Sequence, residues 1–266
     1  MRPQTIAEKI LSKHSGSDCY AGDFTLAKVD FCFGQDGTSS IIIDRFKALG
    51  KRDVFDKNKF CMVIDHNSPS PNLGVSAVHS TMRSFAAEKH VELFDIGCGV
   101  CHQIIPEQGK ILPGFLVLGA DSHTCTYGAL GALATGVGST DLAITLASGV
   151  NWFKVPETIK ITLKGKLKEG VFAKDIILYI TGLLGANGAT YKAIEFYGAP
   201  LKELDMDGRF TIANMVVEVG AKCGFLPVDE RTCSWLKNRT KNRINPIIAD
   251  KKANYADEIK VDISKI

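Results

Sequence analysis

The chain has 266 residues, 45% of them hydrophobic and 23% charged, with a formal net charge of +3. That is ordinary globular composition, enough for one large domain or two modest ones. No apolar run reaches the roughly 18–20 residues that span a bilayer, and the N-terminal MRPQTIAEKILSKHSG lacks the apolar core and small-residue cleavage site of a signal peptide.

From the N-terminus, Thr5 to Lys13 predicts a helix, with Gly16 placed to stop it. LAKVDFCF (Leu26 to Phe33) predicts a strand. Ser39 or Ser40 can cap a helix that runs to Leu49 and stops at Gly50. FCMVID (Phe60 to Asp65) is a short apolar strand, and a helix follows from about Val75 to Lys89. Strands are expected at Glu92 to Ile96 and at Phe115 to Ala120, the second entered through Pro113-Gly114. Ser139 or Thr140 caps a helix to about Val150. The register changes near Pro156, after which ETIKITLKG (Glu157 to Gly165) alternates like a half-exposed strand. A helix (Ala173 to Leu184), a strand (Tyr191 to Tyr197), a helix (about Arg209 to Gly220) and a helix capped by Asp229 complete the pattern. The tail YADEIKVDISKI reads as a strand with no obvious stop, so the natural polypeptide is expected to continue. Short apolar strands separated by helices predict an α/β fold with a mostly parallel, doubly covered sheet. A domain boundary is placed at about residue 155, giving units 1–155 and 156–266.

The basic stretch from Lys237 to Lys252 lacks interleaved aromatic residues and reads as a solvated face or loop, not a nucleic-acid site. Eight cysteines are scattered through a chain large enough to fold without staples, which points to free thiols in a reducing, cytoplasmic setting. Only Cys98 and Cys101 are closely spaced. A zinc half-site would need a second such pair or a matching His pair, and neither follows. A thioredoxin-like redox pair would need a helix opening directly after it, and none is expected there. Two buried or loop thiols is the plain reading.

Two polar clusters stand at strand ends, where ligands bind in open parallel sheets. Asp65-His66 directly follows FCMVID, and Asp121-Ser122-His123 directly follows FLVLGA. An imidazole, with an unperturbed pKa of roughly 6.5, becomes a usable acid or base when a carboxylate orients it and stabilises its cation. Each Asp could instead cap a turn and each His merely pack, but two such tips together favour acid–base chemistry. Cys101-His102-Gln103 is a third candidate, provided the loop before Pro106 brings His102 to the same face. Asn214 and Glu218, four apart, would share one face of a helix and point to the interior or a cleft, where a buried Glu needs a partner. A structural hydrogen bond is the other reading of that pair. Gln35-Asp36-Gly37 lies at another strand end, where a simple turn would also explain it. GALGALATGVG (Gly128 to Gly138) has neither the adjacent strand nor the Lys of a phosphate loop. Close packing accounts for it, although it could donate amides to a carboxylate.

VIDHNSPSPN, the long run GVCHQIIPEQGKILPGFLVLGADSHTCTYGALGALATGVGSTDLA, WFKVPETI, GATYKAIEFYG and FTIANMVVEVGAKCG occur in that order and cover most of the chain. Together they resemble the aconitase superfamily, and most of all the large subunits of 3-isopropylmalate dehydratase and homoaconitase of the archaeal type. The resemblance implies three-layer α/β/α domains and a hydro-lyase that isomerises a 2-hydroxy di- or tricarboxylic acid. It implies that Asp65 and His66 protonate the departing hydroxyl, that His102 pairs with Asp121, and that the His123–Glu218 pair holds a water or hydroxide. Ser122 and Gln35 match groups that bind a substrate carboxylate, and Asn214 matches an Asn near the cofactor. At Gln35 the isopropylmalate branch often carries His and aconitases carry Gln, so isopropylmalate, homocitrate or homoaconitate, citrate and dimethylmalate all stay open as substrates.

The cofactor implied is a [4Fe–4S] cluster held by three cysteines, one in an SCTN-like segment and two in a later CxxC. Both would fall beyond Ile266, in a third domain that this chain lacks, so the chain alone is expected neither to bind the cluster nor to be active. The base that takes the C–H proton is a Ser of the swivel domain, which isopropylmalate-type enzymes carry as a separate small subunit; no nucleic acid or membrane partner is implied. Two other readings remain. One is a non-enzymatic carboxylate-binding or scaffold paralogue. The other is a zinc hydrolase, which would need at least three of His66, His79, His102 and His123 on one ion.

Overall fold

The computed structural model describes residues 2–266. In chain order the elements are α1 (Ile6–Ser15), β1 (Phe24–Lys28), β2 (Phe31–Gln35), α2 (Ser39–Ala48), β3 (Phe60–Val63), α3 (Leu73–Lys89), β4 (Glu92–Phe94), α4 (Cys101–Glu107) and β5 (Leu116–Gly119). A 3-10 segment (Ser122–Leu130) leads to β6 (Leu133–Gly136), α5 (Ser139–Ser148), β7 (Val150–Lys154), β8 (Thr158–Lys164), α6 (Ala173–Leu184) and β9 (Ala193–Tyr197). Then come α7 (Met206–Asn214), a 3-10 segment (Met215–Val219), β10 (Cys223–Phe225), α8 (Glu230–Lys237) and β11 (Asp257–Asp262). No helix of the described residues is long and apolar enough to cross a membrane.

The strands form two parallel sheets and one ribbon. The first sheet has the order β4-β3-β2-β5-β6 and the second β10-β9-β8-β11, while β1 and β7 pair antiparallel. The fold is therefore α/β with mostly parallel sheets. Strands β2, β3 and β5 are buried along their whole length, which their uninterrupted apolar sequences require of a sheet covered on both faces. Alternation divides their side chains between two cores. Cys32, Met62, Leu116 and Leu118 pack with residues of α1, α2, α3 and α5. Phe33, Cys61, Val63 and Val117 pack with Tyr127 of the first 3-10 segment and with a core that continues into α6 and α7. In the first sheet the chain moves outward from β2 through β3 to β4, then returns to the other side of β2 with β5. The carboxyl ends of β2 and β5 thus flank the point where strand order reverses, the place where such sheets open a crevice.

Several expectations need correction. Leu26 to Phe33 is two strands, not one. Asp30 interrupts it, accepting the Leu116 N–H at 3.0 Å and meeting His14 Nε2 at 2.6 Å, so the chain leaves the ribbon and enters the sheet at that point. Thr38 and Gly138, not the following serines, occupy the N-cap positions of α2 and α5, without side-chain caps. The glycine-rich run holds a strand, β6, which the sequence reading lacks. The expected helix from Arg209 to Gly220 is α-helical only to Asn214 and then tightens to 3-10. The basic stretch after α8 is irregular, as expected of a loop, and it is tied back to the N-terminus by Asp250, which pairs with Lys9 and accepts the Gln4 N–H.

Gly128 shows why the small residues are needed. A Cβ there would lie 2.1 Å from the Gly224 carbonyl oxygen of β10, where the 3-10 segment crosses the second sheet. Backbone cannot give way as a flexible side chain can. Gly128→Ala is expected to destabilise the fold by about 1–3 kcal/mol, read as a lower urea midpoint; an unchanged midpoint would show that the two layers are not packed this closely.

Candidate active site

The site is built outward from Asp36, one residue past β2 and 4% exposed. Its carboxylate accepts the backbone N–H groups of Asp65 at 3.2 Å, His66 at 2.8 Å and Asn67 at 2.8 Å. The buried His79 of α3 meets it at 3.3 Å. Burial pushes the Asp36 carboxyl up, but these hydrogen bonds outweigh it and hold the group below the usual carboxylate range. Three consecutive amides on one fixed carboxylate set the turn after β3, and that turn presents Asp65 and His66.

Asp65 Oδ1 lies 2.7 Å from His66 Nδ1, while Oδ2 accepts the Cys101 N–H at 2.6 Å. One carboxylate thus orients His66 and anchors the start of α4, which carries His102. From the other side Asp121, two residues past β5, meets His66 Nε2 at 3.0 Å and His102 Nε2 at 3.3 Å and accepts the His123 N–H at 2.8 Å. The rings of His66, His102 and His123 form a row with centroids 6.4 and 6.0 Å apart. His123 continues the row through Ser122 Oγ at 3.1 Å and Glu218 Oε1 at 3.5 Å.

Electrostatics divides the imidazoles. Both nitrogens of His66 face carboxylate oxygens, so both carry protons and the ring is an imidazolium. The hydrogen bonds with Asp121 and then Asp65 raise its pKa to about 10 against the opposing effect of burial. His102 is pushed the other way, by burial first and by the charges of His123 and His66, with Asp121 opposing. Asp121 is raised by burial, but the bond from His66, the neighbouring His102 and the His123 amide outweigh this and hold it below the usual range. A charged imidazolium and a neutral imidazole therefore share one carboxylate, their environments having pushed their pKa values apart.

The remaining predicted residues fall around this row. Asn214 donates from Nδ2 to Thr126 Oγ1 at 2.8 Å and, with His102, lines a cavity of about 610 Å³. Gln35 is buried at the end of β2, its amide oxygen taking the Gly37 N–H. Glu218 departs from expectation: its side chain is 53% exposed, because the 3-10 winding after Asn214 turns it to the rim. His79 serves Asp36 and lies apart from the row. The two groups of described residues arranged to hold an ion are Asp65, His66 and Cys101, and His66, His102 and Asp121; neither contains three imidazoles. Asp36, which the sequence offered only as part of a strand-end turn, is the residue whose place in the site sequence reasoning did not anticipate. Its only signal was its place at a strand end beside Gln35.

The thiols do not converge. Helix α4 opens at Cys101, contrary to expectation, but that thiol is buried behind Asp65 and pushed up by burial, unlike a redox-active thiolate. Burial likewise raises Cys32, Cys61, Cys125 and Cys223, and all eight cysteines are free. An iron–sulfur cluster takes several thiolates at one point. No three thiols of the described residues meet in this way, so the residues present do not fit as its ligand set.

A family model described as the aconitase family (aconitate hydratase) matches residues 8–266. The large subunit 1 of 3-isopropylmalate dehydratase from Thermotoga maritima is 49% identical over 99% of this chain and 63% of its own length. Those from Methanopyrus kandleri and Pyrococcus furiosus are 44% and 45% identical, over 99% and 100% of this chain and 63% of their own lengths. The chain thus spans a little under two thirds of these relatives.

A pH dependence follows from His66. Its folded pKa is raised above the unfolded value of roughly 6.5, so its stabilising effect is complete below that pH and is lost as pH rises through about 10. Asp121→Asn removes the larger cause, and the loss moves to lower pH. Melting temperatures of the two proteins, compared from pH 6 to 10.5, are expected to converge as the pH rises; parallel curves would show that Asp121 does not hold the His66 proton.

Proposed function

The chain belongs to the aconitase family, and from that premise we propose that it supplies the acid–base part of a hydro-lyase site. The reaction would be the isomerisation of a 2-hydroxy di- or tricarboxylic acid by dehydration and rehydration, as in 3-isopropylmalate dehydratase or homoaconitase. The observation that carries this reading is the His66 imidazolium held between Asp65 and Asp121 beside a neutral His102.

Expelling hydroxide from carbon needs a proton delivered to it, because hydroxide is a poor leaving group. His66 is the donor. Asp65 fixes its ring through Nδ1, and the Nε2 proton, directed at Asp121 before substrate binds, turns from that carboxylate to the departing hydroxyl and passes to it, leaving the ring neutral. Asp121, shared with His102, steadies the charge before transfer and is held in place by the Nε2–H of the neutral His102; in the reverse direction the neutral His66 takes the proton back from the added water. His123, tied to Ser122 and Glu218, holds the departing oxygen as water at the rim. Ser122 and Gln35 are assigned to a substrate carboxylate, and Asn214 faces the cofactor side.

A [4Fe–4S] cluster, when bound, supplies Lewis acidity, and it would draw its thiolates from outside the described residues. The base for the C–H proton is assigned to a small swivel-domain subunit. The working assembly is then a cytoplasmic heteromer in which this chain forms two α/β units divided near residue 155.

In the assembled, cluster-loaded enzyme, His66→Ala is expected to lower kcat by about 100-fold or more while circular dichroism stays that of the wild type, the unfolding midpoint falling only by the loss of the pairs with Asp65 and Asp121. Turnover equal to the wild type would remove His66 from the mechanism and favour a non-enzymatic carboxylate-binding role for the fold.

A further inference from the structure

A cavity of about 580 Å³ is lined by Asp121 and Ser122 but by none of the three imidazoles of the row. Its walls include Ser122, Gly136 at the end of β6, Trp152 of β7, Tyr191, Val217 and Lys222. Among the described residues lining it, Lys222 is the only lysine or arginine. The Lys222 Nζ donates to the Gly136 carbonyl at 3.3 Å and stands 5.4 Å from the centre of the Tyr191 ring. No carboxylate of the described residues comes within ion-pair distance of it; Asp141, across the cavity at the first turn of α5, acts on it only from further away. A half-buried ammonium with one hydrogen bond and no counter-ion leaves most of its donor capacity unused.

The wall beside it is held under strain. Tyr191 adopts φ 60°, a left-handed conformation that residues with a side chain rarely take. Its N–H is fixed to the Gly220 carbonyl at 3.0 Å, and the ring stands between Lys222 and Lys154. The neighbouring strand then returns through the Lys222 N–H, which donates to the Lys192 carbonyl at 2.8 Å. These bonds fix the backbone on both sides of the pair and leave the Tyr191 ring beside the Lys222 ammonium.

We propose that Lys222 is a substrate-binding residue, its ammonium receiving one carboxylate of a di- or tricarboxylic acid whose hydroxyl-bearing end lies at Ser122 and His66. This rests on the reading of the preceding subsection and extends it. Asp65, Asp121 and Glu218 together outweigh the single imidazolium of His66, so a polyanionic acid would be repelled unless a cation met it. Lys222 is that cation, on the same cavity wall as Ser122. The apolar surfaces of Trp152 and Val217 leave room for a hydrocarbon branch between the two ends.

The test uses the 266-residue chain and the fluorescence of Trp152, with Trp235→Phe removing the only other indole. The probe is 3-isopropylmalate, and 2-hydroxy-4-methylpentanoate serves as a monocarboxylate control. Saturable quenching by the dicarboxylate is expected, weakened about 10–100-fold in Lys222→Met and restored to within a few-fold in Lys222→Arg. The monocarboxylate should bind Lys222→Met as it binds the parent. Equal dicarboxylate affinity in Lys222→Met and the parent would overturn the inference, as would no saturable binding to the parent. Neither outcome touches the His66→Ala turnover experiment, so the two readings fail separately.

Discussion

Carboxylates that accept hydrogen bonds from backbone amides of other elements hold the rim of the first sheet in place. Asp36 takes three from the turn after β3, Asp65 takes the first amide of α4, and Asp121 takes the amide of His123. A side chain on one strand thereby fixes the backbone of the next, and His66, His102 and His123 inherit the rigidity of a sheet that is buried on both faces. Such bonds to an ionised acceptor are short and strong, and breaking one leaves a buried charge uncompensated. The geometry of the candidate site and its local stability therefore rest on the same interactions.

This arrangement also explains how chemically identical rings take opposite charge states. His66 has a carboxylate at each nitrogen and keeps its proton well above neutrality, whereas burial and the neighbouring imidazoles keep His102 neutral. Asp121 touches both, so the charge of one ring sets the state of the other. The cavities on either side of the row divide the remaining work. In the proposed reading, the one beside Asn214 and His102 is left to the cofactor and the one beside Ser122 and Lys222 to the body of the acid.

Much of this was readable in the sequence, for identifiable reasons. FCMVID and FLVLGA are apolar runs that end abruptly in Asp-His and Asp-Ser-His, and a buried parallel strand with a polar tip leaves little else for those residues to do. What could not be read depends on distant partners. The break at Asp30 comes from pairing with Leu116 and from the ribbon partner β7, and neither is visible in a local apolar pattern. Strand β6 was hidden because LATG carries little β signal; the sheet, not the propensity, makes it a strand. Asp36 looked like a turn residue because its meaning lies in amides 30 positions away. Glu218 was placed on a continuous helix, and the tightening after Asn214 rotated it outward.

The account turns on the protonation of one ring. Nitrogen-15 NMR of the imidazole side chains at pH 7.5, assigned with His66→Gln and His102→Gln, reads it directly. The account predicts that both His66 nitrogens are protonated and that His102 gives the spectrum of a neutral ring. A neutral His66, or a charged His102 beside it, would contradict the account.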